Sequence, residues 1–458
     1  MKLTFCGGAK SVTGANYLLE LENPRSSASN PRKSAILVDC GLQQGGYFAE
    51  KQNFDSFCYN PSEIGAVFIT HAHIDHIGRL PKLVKDGFHR EVYSTPATRD
   101  FAELMLLDSE NILNKEAARE GKPPLYSDDD VSKLMSRWKG IEYRRPFEFG
   151  AFKIEFFDAG HILGSAFIKI EAENKTIVFS GDLGNSPAPI IRPTEKIESA
   201  DYCLIESTYG NRFHETVSKR REMLEDAIED TVKAGGVLMI PAFAMERTQD
   251  LLYHLHQLFE EGRIPRVPVF IDSPLAIKVT AVYKKHKGYF NQEVLKTKHA
   301  GEDILNFPGL RLALTTEQSK EINNVPAPKI ILAGSGMSHG GRILHHESRY
   351  LSDSKNMILF VGYQARGSLG ERIRSGAKNV RIFGEDVSVR CRVGEISAYS
   401  AHADQAQLLE WLAPMQSSLK KVFVVQGEPD ASEALRQRIT ETMRLDAVVP
   451  EAGESVVL

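Results

Sequence analysis

Cysteine is scarce in this sequence: five in 458 residues, and Cys6, Cys40, Cys58, Cys203 and Cys391 form no CxxC pair. That spacing argues against a disulfide framework and against a cysteine zinc site, and a reducing cytosol suits it. Long apolar runs are missing as well. The N-terminal MKLTFCGGAK lacks the apolar core of a signal peptide, and no stretch approaches a membrane span. A soluble, cytoplasmic protein without membrane contact is therefore expected. An excess of one charge is missing too. With a formal net charge of −4, any hold on an acidic polymer must come from a local basic patch. There is no internal repeat and no low-complexity tail.

The length exceeds what one ordinary core organises, so two or three domains are expected. The first part reads as short strands: Leu3 to Cys6, Asn16 to Leu21, Ala35 to Asp39 and Ala66 to Thr70, bounded by Gly, Asn or Pro. The polar stretch ENPRSSASNPRKS between the second and third reads as a hairpin loop. A helix follows Pro96, and alternation returns after Trp138, with ENKT as a hairpin turn. From about residue 209 the pattern becomes strand, turn, helix: GGVLMIPAFA leads into ERTQDLLYHLHQLFE, and VPVFIDSPLA into a helix capped by Ser273 with Pro274 just inside. Buried strands alternating with amphipathic helices predict a parallel sheet covered on both faces. After about residue 395 a helix around Gln405 to Leu412, the strand KKVFVVQGE and a final helix from about Asp430 to Met443 are expected.

One stretch carries chemistry. VFITHAHIDHIGRLP, Val67 to Pro81, places His71, His73, Asp75 and His76 within six residues directly after an apolar run. A zinc ion takes about four N, O or S ligands near 2 Å, and a strand followed by a tight loop can turn alternate imidazoles toward one point. His71 and His73 suit one metal, and Asp75 and His76 point to a second. His161 and Asp182 each close a later strand and supply the context.

HAHIDH with His161 and Asp182 resembles the metallo-β-lactamase superfamily signature HxHxDH…H…D, and Asp39 in LVDCG matches its first motif. Glu206 in IESTYG and His402 in SAHAD resemble motifs A and B of the β-CASP ribonucleases. PAFAMERTQ, DSPLA, GSGMSHGGRILHH and GYQARGSLG are similar to segments of their inserted domain. The likeness runs nearly end to end. It is to prokaryotic RNA-processing exonuclease-like members and to the endonuclease subunit of the mRNA 3′-end cleavage complex.

The resemblance implies an αββα metallo-β-lactamase fold over residues 1–208 and 396–458, with a β-CASP domain inserted at 209–395 that holds a mainly parallel sheet flanked by helices. It further implies that His71, His73 and His161 hold one zinc, that Asp75 and His76 hold another, and that Asp182 bridges. Asp39 would orient a ligand by hydrogen bond. Two zincs would clamp a phosphodiester of single-stranded RNA and leave a 5′-phosphate and a 3′-hydroxyl. His402 paired with Glu206 would protonate the leaving oxygen, since a neighbouring carboxylate favours the charged imidazolium. A homodimer is an admissible assembly.

Three secondary features join these. The GSGMSHGG turn could offer backbone N–H groups at Ser335, Gly336 and Met337 to a phosphate, or be a plain strand-to-helix turn. Arg247 could neutralise phosphate from a helix start, or be an exposed helical arginine. KKHK at 284–287 with Lys278, Lys296 and Lys298, interleaved with Tyr283, Tyr289 and Phe290, could stack and hold a single strand, or be a solvated helix face.

The chain departs from the family at motif C. Where RNA-cleaving members have VHGE, it has Val425, Gln426, Gly427 and Glu428. An amide oxygen is a weak zinc ligand better matched to manganese, so a weakly held second metal is expected. The alternatives are a DNA nuclease of the same fold, a small-molecule hydrolase, and a catalytically weak RNA-binding subunit.

Overall fold

The computed structural model describes residues 1–22, 34–44, 51–214, 219–296, 303–362, 364 and 367–458. Apart from its end residues, the polar stretch after Leu21 lies outside the described residues, as do Lys298 and part of GYQARGSLG. The chain divides into two compact units. The first comprises Met1–Ser186, Pro193–Phe213 and His402–Leu458, and the second Pro187–Arg192 and His214–Ala401. The change of sequence pattern gave no sign that Pro187–Arg192 belongs with the second.

In the first unit two seven-stranded sheets face each other. One runs Ser455–Val457, Lys2–Gly7, Asn16–Glu20, Ala35–Val38, Ala66–Phe68, Glu91–Ser94 and Trp138–Gly140. The other runs Ala447–Val448, Lys421–Val425, Tyr202–Glu206, Lys175–Phe179, Ala166–Ala172, Phe152–Asp158 and Phe147–Phe149. Alternate residues of both, among them Phe5, Ile36, Phe68, Phe156, Ile168, Phe179 and Phe423, form one core cluster between them. The period of two puts Val178, Ile205, Val422 and Val424 on the opposite face of the second sheet, where Leu408, Trp411, Leu412 and Leu435 of the helices Gln405–Leu412 and Pro429–Arg438 cover them. Beside the first sheet, helix Pro96–Arg119 packs on strand Trp138–Gly140 and on helix Asp128–Met135.

Local signals act as their chemistry requires. Glu173 and Asn174 both take positive φ, 48° and 57°, and close the hairpin between Ala166–Ala172 and Lys175–Phe179. The expected strand from Ala35 ends at Val38, because Asp39 turns into the left-handed region at φ 59°. The last helix spans Pro429–Arg438 and continues as a π-turn over Ile439–Met443.

The second unit holds a six-stranded sheet ordered Leu310–Leu312, Val269–Asp272, Lys329–Ala333, Val237–Pro241, Met357–Phe360 and Arg392–Glu395, parallel at every pairing. Every residue of Val237–Pro241 and Lys329–Ala333 is buried, the mark of strands covered on both faces. Ser273 caps helix Pro274–Lys285 by accepting from the Ala276 N–H at 3.2 Å.

Two expectations are corrected. Cys6 and Cys58 are joined as a disulfide with Cα atoms 6.2 Å apart, while Cys40, Cys203 and Cys391 are free and buried. Their separation of 52 residues hides a pairing that only the meeting of the first strand with a distant loop creates. The aromatics of the basic patch are not stacking platforms either: Tyr283, Tyr289 and Phe290 are all buried, which leaves Lys278, Lys284, Lys285, Lys287 and Lys296 as a solvated face. No helix among the described residues is long and apolar enough to cross a membrane.

Candidate metal centre

Strands Phe152–Asp158, Lys175–Phe179, Tyr202–Glu206 and Lys421–Val425 run in one direction, and Ala35–Val38 runs parallel to Ala66–Phe68. The residues singled out follow or close the carboxyl ends of these strands: Asp39, His71 to His76, His161, Asp182, Glu206 and Gln426. The loop bearing the histidines is tied down by backbone bonds. Ala15 N–H donates to the Asp75 carbonyl, Cys40 N–H to that of His76 and Leu42 N–H to that of Ile74. Gly41 permits this approach, because a Cβ there would lie 1.5 Å from the Asp75 oxygen.

His71 Nε2 lies 3.0 Å from His73 Nδ1, and His161 Nε2 lies 3.2 Å from the same atom. Asp182 Oδ2 stands 3.4 Å from His71 Nε2 and 3.5 Å from His161 Nε2. A tetrahedral ion with bonds near 2.0–2.1 Å sets its ligand atoms roughly 3.3 Å apart, so these spacings match its edges. The proton count agrees. The Thr70 hydroxyl donates to Asp39 Oδ2 at 2.7 Å and lies 3.1 Å from His71 Nδ1, which places the His71 proton on Nδ1 and bares Nε2. Burial pushes the pKa of His73 well below its usual value, with His71 adding to the effect, and burial and His402 do the same for His161. Neutral imidazoles are what a metal needs. Asp182 is held ionised: burial opposes this, but His76 and His71 outweigh it and drive its pKa well below the carboxylate range. Three nitrogens and one carboxylate oxygen facing one point fit a divalent cation.

The second half of the motif is built differently. His76 Nδ1 faces Asp39 Oδ2 at 2.7 Å, and Asp39 also accepts from the Thr70 N–H at 2.8 Å. His76 Nε2 lies 3.3 Å from Asp182 Oδ1 and 3.9 Å from Asp75 Oδ2. Burial alone would lower the His76 pKa, but the carboxylates of Asp182 and Asp39 outweigh it and raise it. Gln426, buried and at φ 49°, turns its amide nitrogen inward, 2.9 Å from His76 Nε2 and 2.9 Å from Asp182 Oδ1. The amide oxygen, expected to be the weak ligand, faces away and accepts from the Tyr17 hydroxyl at 3.3 Å.

Beside the three histidines, His402 Nδ1 sits 3.2 and 3.3 Å from the two oxygens of Glu206 and 3.8 Å from Asp182 Oδ2. Glu206 is fully buried and accepts from the Leu183 N–H at 2.6 Å, whereas the His402 side chain keeps 19% of its surface exposed.

Residues expected to bind phosphate belong to the second unit. Arg247 is buried, not exposed, with its guanidinium 3.8 Å from Asp250. In the GSGMSHGG turn the Ser335 hydroxyl accepts from His339 and Gly340 N–H, Ser335 N–H donates to the Gly340 carbonyl, and Ser338 N–H to that of Ser335. Gly336 lies against Phe243, where a Cβ would come within 2.6 Å of the ring.

Two residues escaped the sequence reading. Thr70, which links Asp39 to His71 and His76, could have been suspected from its place directly before the motif. Tyr17 lies 409 positions from Gln426 on an ordinary alternating strand and carried no signal.

Three family models match parts of this chain. Residues 30–195 match the metallo-beta-lactamase superfamily, 248–373 the Beta-Casp domain, and 386–450 the Zn-dependent metallo-hydrolase RNA specificity domain. Ribonuclease TTHA0252 of Thermus thermophilus is 38% identical over 439 residues, 95% of each chain. The RNase J-like protein of Methanocaldococcus jannaschii is 30% identical over 92% of this chain and 94% of its own. Transcription termination factor FttA of Methanosarcina mazei is 31% identical over 97% of this chain and 70% of its own. A solved protein of unknown function from Enterococcus faecalis V583 shares the fold, with a TM-score of 0.56 and 12% identity over 100% of this chain and 99% of that one.

Proposed function

This chain belongs to the β-CASP ribonuclease family of the metallo-β-lactamase superfamily, and on that premise we propose that it is a zinc-dependent ribonuclease acting in RNA processing or decay. The observation that carries the reading is the convergence of His71, His73, His161 and Asp182 on one point, with the His402–Glu206 pair alongside. Three imidazole nitrogens and one carboxylate oxygen suit zinc better than manganese, which favours oxygen. A divalent cation bound there supplies Lewis-acid polarisation of a phosphodiester oxygen and a water of lowered pKa.

The chain's own groups do the rest. Attack of water on phosphorus, with one of the water's protons lost to solvent, breaks the bond to the 3′-oxygen, which leaves as an alkoxide and needs a proton. His402 donates it from the nitrogen not engaged by Glu206, and Glu206 holds the ring in place and compensates its positive charge. The products are a 5′-phosphate and a 3′-hydroxyl. Glu206 is itself fixed by the Leu183 N–H, so the acid is oriented before substrate arrives. Gln426 supports a second reading, a catalytically weak RNA-binding subunit. Cleavage of matched labelled RNA and DNA, with zinc counted in the same sample, tests both. Faster cleavage of RNA sustains the proposal, faster cleavage of DNA replaces it with a DNA nuclease, and RNA binding without product at stoichiometric protein leaves the binding subunit.

A further inference from the structure

We infer that this chain is a one-metal centre, in which the Gln426 carboxamide, steered by Tyr17, occupies the place where a second cation would sit. The inference rests on the metal-dependent reading above and concerns how many ions the site keeps.

The argument is one of donors and acceptors. The amide nitrogen of Gln426 lies 2.9 Å from both His76 Nε2 and Asp182 Oδ1, the two atoms that a second cation would need. An amide nitrogen carries two hydrogens and no free lone pair, so it donates to neighbours and does not ligate. Asp182 Oδ1 accepts one hydrogen, and the other points toward His76 Nε2, whose ring has Nδ1 turned to Asp39 Oδ2 at 2.7 Å.

The other end of the side chain also has a partner. Tyr17 is 3% exposed, and burial together with the Asp39 and Asp182 carboxylates raises its pKa well above the usual phenol value. Its hydroxyl therefore stays protonated, 3.3 Å from Gln426 Oε1. Turning the amide over would set its oxygen 2.9 Å from Asp182 Oδ1, two acceptors in contact, which is tolerable only with a cation between them. The backbone limits escape, since Gln426 N–H donates to the Gly8 carbonyl at 2.7 Å. Asp75 stands apart from this arrangement. Its nearer carboxylate oxygen is 3.9 Å from His76 Nε2, and neither Asp75 nor His76 joins a cluster of three close metal donors among the described residues.

The experiment counts metal in the full-length chain. Protein loaded with zinc and dialysed against a mild chelator should retain one zinc, and manganese titrated into it, followed by electron paramagnetic resonance, should find no second tight site. Gln426→His should retain two zincs. Tyr17→Phe, which frees the amide oxygen to turn inward, should tighten manganese binding at least about tenfold, as removal of a partner that orients a metal site commonly changes affinity by 10 to 100-fold. Two zincs in the unaltered chain overturn the inference, and so does a folded Gln426→His protein that still keeps one. If Gln426→His fails to fold, the unaltered chain's own count and the Tyr17→Phe titration decide. No zinc at all in folded protein overturns the metal-dependent reading and this inference with it. One zinc without RNA cleavage sustains the inference and removes the ribonuclease reading.

Discussion

The two halves of the HAHIDH motif lie side by side and satisfy their polar atoms by different means. Around His71, His73 and His161, ring nitrogens stand 3.0 and 3.2 Å apart, a spacing that fits a cation held among them. Around His76, the same kind of nitrogen already has a donor in Gln426, and the carboxylate beside it has one as well. A metal site is thus recognised by what its donors lack. Ligand-type residues alone do not distinguish a pocket that demands an ion from one that a neutral side chain has completed.

The comparison can be broken most directly at His73, whose Nδ1 faces both partner histidines. His73→Ala should abolish zinc retention in the three-histidine pocket and RNA cleavage together; activity unchanged in the variant would show that the pocket is not the site. His402 comes next, because it is assigned to neither half. His402→Ala should lower the chemical rate by about 10² to 10⁴ with the zinc count unchanged. Loss of zinc in that variant would move His402 among the ligands.

Asp39 connects the halves through Thr70 and His76, and its two oxygens accept three hydrogen bonds. Asp39→Asn supplies an amide that cannot accept at both ends, so zinc affinity should fall about 10 to 100-fold in a chelator competition. Equal affinity would mean that the histidines hold their orientation without it. The smallest effect is expected at a carboxyl outside the site. Asp182 is kept ionised by facing imidazoles, whereas burial pushes Glu347 up from 4.5 to about 8, with a hydrogen bond from Ser338 working only partly against it. The folded chain then binds more protons than the unfolded chain between 4.5 and about 8, so this group's contribution is fully present below 4.5 and lost as pH rises through about 8. Glu347→Gln should flatten that decline in urea unfolding, and an unchanged pH slope would show that the carboxyl is not protonated in the fold.

Much of the site was legible because the information is local. His71, His73, Asp75 and His76 share one loop, His161 and Asp182 follow strands that alternation exposes, and Glu206 was named from its likeness to a family motif. The helix cap at Ser273, the ENKT hairpin and the parallel sheet were legible for the same reason. Gln426 was recognised as a departure, but the sequence read its oxygen as the inward end. The basic patch failed in a related way: KKHK with neighbouring aromatics fits a groove or a covered helix equally well until burial decides.

By itself, the sequence determined which side chains could meet a metal, the strand and helix periodicities, and the family. The tertiary structure decided which way the Gln426 amide turns, that Tyr17 holds it, that Cys6 meets Cys58, and that Tyr283, Tyr289 and Phe290 face inward. The physical reason is range. Propensity and periodicity are set by neighbours a few residues apart, whereas the orientation of an amide is set by the donors and acceptors around it, and here one of those comes from 409 residues away.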